Sequence, residues 1–137
     1  MNPLVDRSEF EIGAFSEWQW LVRTPAKALF LTVFGDWIYE HSSGISVLSP
    51  SAADTFEIAT VAEEIDWAIE DVPDRAPWLY PGVLEGLREA GISREQGKIF
   101  HFVTPLFLGG LPVLSNIQRL EIPAYLSGMQ KLLKQSM

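Results

Sequence analysis

The sequence predicts an α+β fold: a single domain in which a mainly antiparallel, twisted sheet packs against several helices. Three observations carry this. Between Ala28 and Ala59, β-branched and aromatic residues fall in short runs separated by turn residues. From Thr60 onward the apolar period lengthens from two to about 3.6 residues. With 137 residues, 47% of them hydrophobic and 20% charged, the chain can bury one core and lacks the composition of a disordered protein. Residues 16–137 are expected to form that domain, and residues 1–15 a loose N-terminal segment.

Ser16 is placed to cap a short helix through SEWQWLV, with Trp18, Leu21 and Val22 at helical spacing and Pro25 ending it. ALFLTVFGDWIYE (28–40) reads as strand, kinked or bulged at Gly35-Asp36. HSSG (41–44) is a turn and ISVLS (45–49) a half-buried strand. TFEIA (55–59) is another, with Phe56 and Ile58 on one face. Together these give a meander of three or four strands. TVAEEIDWAIEDV (60–72) then sets Val61, Ile65, Ala68, Ile69 and Val72 on one helical face, with Thr60 and Glu63 as a capping box. PDRAPWLYPG (73–82) is a loop anchored by Trp78 and Tyr80. The helix after it turns Val83, Leu84, Leu87 and Ala90 inward and is closed by Gly91 and Ile92. KIFHFV (98–103) and NIQRLEI (116–122) are strands, and Pro123 opens a last helix that buries Leu126, Met129 and Leu133.

Charge narrows the choice of partners. The formal net charge is -8, but it is segregated. Ala28 to Asp74 holds ten acids (Asp36, Glu40, Asp54, Glu57, Glu63, Glu64, Asp66, Glu70, Asp71 and Asp74) and no Lys or Arg. The rest of the chain holds eight acids and ten bases. Such a segment repels nucleic acid and anionic lipid and attracts basic proteins. The N-terminus has no signal-peptide pattern, no apolar run approaches the ~18 residues of a membrane span, and cysteine is absent, so a cytoplasmic protein is expected.

No constellation carries catalysis, a cofactor or a metal. His41 and His101 are the two histidines, without HxH or HExxH spacing, and no G-x-S-x-G elbow occurs. TPLFLGG (104–110) has neither the lysine of a P-loop nor the third glycine of a dinucleotide turn, and Pro112 opposes a helix there. Its expected role is conformational: Pro105 ends a strand, Leu106 and Leu108 enter the core, and Gly109-Gly110 supply a positive φ or a close backbone approach. The candidate partner-binding residues lie instead on the acidic helix: Glu63, Glu64, Asp66, Trp67, Glu70 and Asp71. Anions at Glu70 and Asp71 oppose the macrodipole of the expected helix, and a half-exposed Trp67 among acids suits an interface anchor.

The stretches WQWLVRTPAKALFLTVFGDWIYEHSSGISVLSP, FEIATVAEEIDWAIED, LREAG and KIFHFVTPLFLGGLPVLSNIQRLEI, in that order, resemble the C-terminal domain of type VI secretion immunity proteins of the Tdi kind. The resemblance spans Trp18 to Gln135. Its marks are Phe34, Gly35 and Asp36 after the first strand, and Pro105, Leu108, Gly109 and Gly110 before the next; all seven are expected to be architectural. Members often carry an additional N-terminal domain, and a second proline beside the one that stands here as Pro105. The resemblance implies a non-enzymatic protein that binds a co-produced toxin, typically a DNase, in the producing cell. Two other readings stand beside it: a scaffold or regulatory domain with a non-toxin partner, and a small-molecule-binding domain using His101 near Pro105 to Gly110.

Overall fold

Lys27–Leu31 (β1), Trp37–His41 (β2), Gly44–Ser49 (β3) and Asp54–Ala59 (β4) form a four-stranded antiparallel sheet in that order. The computed structural model describes residues 1–136. The stretch read as one kinked strand is thus two strands of a hairpin. The chain reverses between Thr32 and Asp36, where the Thr32 amide donates to the Asp36 carbonyl (2.8 Å) and the Gly35 amide to the Thr32 carbonyl (3.0 Å). The Thr32 hydroxyl accepts the Phe34 and Asp36 amides at 3.2 Å each. Gly35 stands at φ 81°, and the Tyr125 ring fills the space its Cβ would take, so glycine is required on both counts.

Pairing register sorts the strand residues. Trp37 and Leu48 are partners on one face, Ile38 and Val47 on the other. Trp37, Tyr39 and Leu48 join the main core with Phe15, Trp18, Phe34, Phe100, Leu126 and Leu133. Ile38, Ile45 and Val47 join a second cluster with Ala59 and Ile65. Both faces are therefore covered at β3, which is buried at every position rather than half-buried.

Lys98–Phe102 (β5) and Ile117–Glu121 (β6) make a separate antiparallel pair. The Phe100 amide donates to the Val33 carbonyl (2.8 Å), and Phe34 stacks on Phe102 at 5.8 Å, tying this pair to the first hairpin. The last helix, Ile122–Ser136, has Pro123 in its first turn and buries Tyr125, Leu126, Met129 and Leu133. Its buried Gln130 accepts the Trp20 indole N–H (3.0 Å) and donates to the Glu17 carbonyl (2.6 Å). The helix Pro81–Glu89 buries Val83 and Leu87 and closes as expected, with the Ile92 amide returning to the Leu87 carbonyl (2.9 Å). Ala90 is exposed, because it falls past the last turn that meets the core.

The first fifteen residues are docked, not loose. The Val5 amide donates to the Leu31 carbonyl (2.8 Å) and the Val33 amide to the Pro3 carbonyl (2.9 Å), so the N-terminus lines the outer edge of β1. Val5 and Phe15 are buried, and Phe10 and Phe15 meet Trp37 edge-on. Glu9 and Arg94 form a mostly buried bidentate pair at 2.7 and 2.8 Å, which holds the Glu9 carboxyl below its ordinary pKa. The helical segment also starts earlier than Ser16: Ile12–Trp18 is a 3₁₀ run that continues into an α-turn at Gln19–Val22, α1.

Candidate partner-binding face

The acidic helix is shorter than its apolar period suggested. Glu63–Ile69 is α2, the chain turns at Glu70 and Asp71, and Val72–Arg75 restarts as α3. Pro73 is the physical reason. It has no amide to offer the Ile69 carbonyl, and its ring would collide with that group, whereas the first turn of a new helix accepts it. Ile65 and Ala68 are buried as expected, but Val61 lies before the first turn and is 50% exposed. The cap differs too. Glu64, not Glu63, reaches back to Thr60, accepting from its hydroxyl and its amide (3.3 Å), and these bonds hold the Glu64 carboxyl below its usual pKa.

These shifts divide the six candidate residues. Glu63, Asp66, Trp67 and Glu70 are exposed at i, i+3, i+4 and i+7, one continuous helix face. Glu64 is half-buried and committed to the cap, and Asp71 is half-buried ahead of α3. Asp71 therefore stands at the N-cap position of α3, without a side-chain cap bond, rather than in the last turn of a continuous helix, so the macrodipole objection to it falls away. Sequence reasoning missed Arg75. Its guanidinium lies 4.4 Å from the centroid of the Trp67 ring, donates to the Trp67 carbonyl (2.9 Å) and sits 3.5 Å from Glu70. The signal was the restart at Pro73, which folds the first base after the acidic segment back over α2.

The seven motif residues occupy two linked places. Phe34 and Asp36 are buried, with the Ser49 hydroxyl beside Asp36, and the nearby Tyr80 and Tyr125 phenols have their pKa values raised mainly by burial and further by the Asp36 charge. Burial pushes the Asp36 carboxyl up to about 7, against which the Ser49 hydrogen bond acts only in part. The Tyr125 hydroxyl is buried without a hydrogen-bond partner. Two residues beyond Ser49, the Ser51 hydroxyl and carbonyl accept the Leu106 (3.1 Å) and Phe107 (2.9 Å) amides, joining the first sheet to the loop of Pro105. In that loop Gly109 takes φ 93°, and a Cβ on Gly110 would overlap the Thr104 carbonyl, so each glycine meets one of the two expected demands. Leu108 does not enter the core: it is 55% exposed, and Phe107 packs inward in its place.

His101 is half-buried on β5 opposite Gln118, its ring 6.4 Å from Tyr125, with burial lowering its pKa. His41 Nε2 lies 2.7 Å from the Ser46 hydroxyl, but its Nδ1 accepts the Ser43 amide at 3.2 Å. That contact leaves the proton on Nε2, the reverse of what a base activating serine needs. Among the described residues no group of His, Asp and Glu is placed to hold a metal, and no helix is long and apolar enough to cross a membrane. No family model and no curated protein matches the chain.

Proposed function

We propose that this protein is a non-enzymatic immunity protein that neutralises a basic, co-produced toxin, by its charge a nuclease, through the exposed face of α2. The observation that carries the reading is the single stripe of Glu63, Asp66, Trp67 and Glu70, set at the end of a segment of ten acids, with Arg75, the first base after it, stacked on Trp67. Acids on one face speed the encounter with a basic surface, and an aromatic side chain among them gives the contact an anchor. Nucleic-acid-cleaving proteins need basic surfaces for their substrate, so such a partner matches the sign of this face.

The test is co-expression with the protein encoded beside it, read as rescue of growth, followed by binding kinetics. Changing Glu63, Asp66 and Glu70 together to Lys is expected to slow association about 10- to 100-fold at low salt and to flatten its salt dependence. Glu64 is left intact because it caps the helix. An unchanged association rate places the contact elsewhere, and a non-toxic neighbour that does not bind removes the immunity reading.

A further inference from the structure

The acidic face already holds a cation. Trp67 is 54% exposed even with the Arg75 guanidinium 4.4 Å from its ring centroid. The same guanidinium donates to the Trp67 carbonyl (2.9 Å) and lies 3.5 Å from a Glu70 carboxylate oxygen. That carbonyl is open to it because α2 ends: the Asp71 amide, which a continuing helix would give to Trp67, turns to the Ala68 carbonyl (3.3 Å). An aromatic face, a carbonyl and a carboxylate around one plane suit a guanidinium, which stacks and donates in several directions at once. An ammonium is a compact point charge and meets the three less well. Arg75 itself is loosely placed. α3 is four residues long and buries none of them, and the pair with Glu70 is open to water. The Arg75 amide is held by the Asp71 carbonyl (2.9 Å), so leaving the ring takes only a side-chain rotation. Along the same stripe Glu63 and Asp66 form no ion pair among the described residues.

From this seat we infer that the basic partner meets the face with an arginine, which takes the place of Arg75 on Trp67. Arg75 is the chain's own stand-in for that arginine and competes with it. The inference rests on the reading of α2 as the partner-binding face and adds which cation is read there. A basic surface wins the exchange by number, because it brings further cations to Glu63 and Asp66, which the single charge of Arg75 leaves unserved. Until then Arg75 lowers the apparent affinity in proportion to the share of molecules whose ring is taken. A basic surface that offers lysines alone does not recover the stacking that Arg75 gives up, so the device discriminates among cations as well as attracting them.

Acetylated tetra-arginine amide and tetralysine amide carry equal charge and serve as probes. Each is titrated into the full chain at low salt and followed by nuclear magnetic resonance of the α2 amides. The wild type is expected to bind the arginine peptide at least about threefold more tightly. Arg75→Gln removes a like charge, which favours both peptides, and frees the ring, which favours arginine alone. The preference for arginine is therefore expected to widen by about a further threefold. Trp67→Ala is expected to erase the preference while both peptides still bind. A wild type that binds both peptides equally overturns the inference and leaves the acidic face standing. So does a preference that Arg75→Gln leaves unchanged, as charge alone would, or narrows, as a mere support of the ring would, and so does one that survives Trp67→Ala. Changing Glu63, Asp66 and Glu70 together to Lys is expected to lose both peptides. Binding that persists in that variant overturns the face itself, and the inference with it.

Discussion

The acidic face of α2 and the uncharged loop from Val103 to Leu114 are both exposed, yet they are held in place by opposite means. α2 is positioned from below: Ile65 and Ala68 seat it, and its outer side chains are free to be charged. The loop has little beneath it beyond Leu106 and Phe107, and it is positioned by its own backbone through Asn116, Gly109 and Gly110. A seated helix puts its surface chemistry in the side chains that solvent already suits. A loop fixed by hydrogen bonds can hold out side chains that solvent does not suit. The contrast separates two kinds of exposed surface, one charged and one apolar.

The largest expected effect breaks the loop and leaves α2 alone. Gly110→Ala forces a Cβ into the Thr104 carbonyl, where backbone on both sides must move. It is expected to cost about 4 kcal/mol in urea unfolding. Gly109→Ala meets no neighbour within 4 Å and suffers only its left-handed backbone, so about 1–2 kcal/mol is expected. Equal losses would show that close approach is not what fixes this segment.

Asp36 sharpens the comparison from inside the acidic segment, since it is the one acid there that solvation cannot explain. The residue is 2% exposed, and burial holds its carboxyl pKa up at about 7 against an ordinary 3.8. Between those two values the unfolded chain has released the proton and the folded chain has kept it. Stability therefore falls as pH rises through this window, by roughly 4 kcal/mol in all. Asp36→Asn keeps the shape and removes the charge, so it is expected to stabilise the protein by that order at pH 8 and to be near neutral at pH 4. Tyr80, Tyr125 and, beyond Tyr125, His101 are the other titratable groups around it. The lowered His101 pKa works in the opposite sense, removing stability as pH falls below 6.5, so the comparison of variant with wild type at each pH is what isolates Asp36. A difference between the two proteins that does not change with pH would sink this account.

Much of this was legible in the sequence, and the gaps have physical causes. The strand runs, the turn at 41–44, the closing helix and its buried stripe follow from periods of two and 3.6 residues, which are local properties. The hairpin at Thr32–Asp36 was not, because the signal at Gly35 fits a bulge as well as a turn until Tyr125 arrives from 90 residues away. Docking of residues 1–15 depends on Arg94 and on the open edge of β1, which no local pattern encodes. On the candidate face, four of six residues fall together as the helical period requires. Glu64 and Asp71 turn aside because the cap shifted by one residue and Pro73 restarted the helix. Leu108 stands outward against expectation because apolar character alone does not tell a side chain that packs inward from one that is exposed.

The smallest expected effect concerns Arg75, which joins the acidic face to the residues after it. Two interactions could account for its position: the ion pair with Glu70, and the stacking on Trp67 with the hydrogen bond to the Trp67 carbonyl. The Glu70 carboxylate is 72% exposed and 3.5 Å away, a geometry in which water and salt remove most of the attraction. The ring contact at 4.4 Å and the 2.9 Å bond to a backbone carbonyl lose less to solvent. Arg75→Gln is therefore expected to cost about 1 kcal/mol in urea unfolding, nearly the same at low and high NaCl, while Glu70→Gln costs about a quarter of that. If the Arg75 loss vanished in high salt and Glu70→Gln reproduced it, the ion pair would be the tie, and Trp67 would be free to serve a partner without first releasing Arg75.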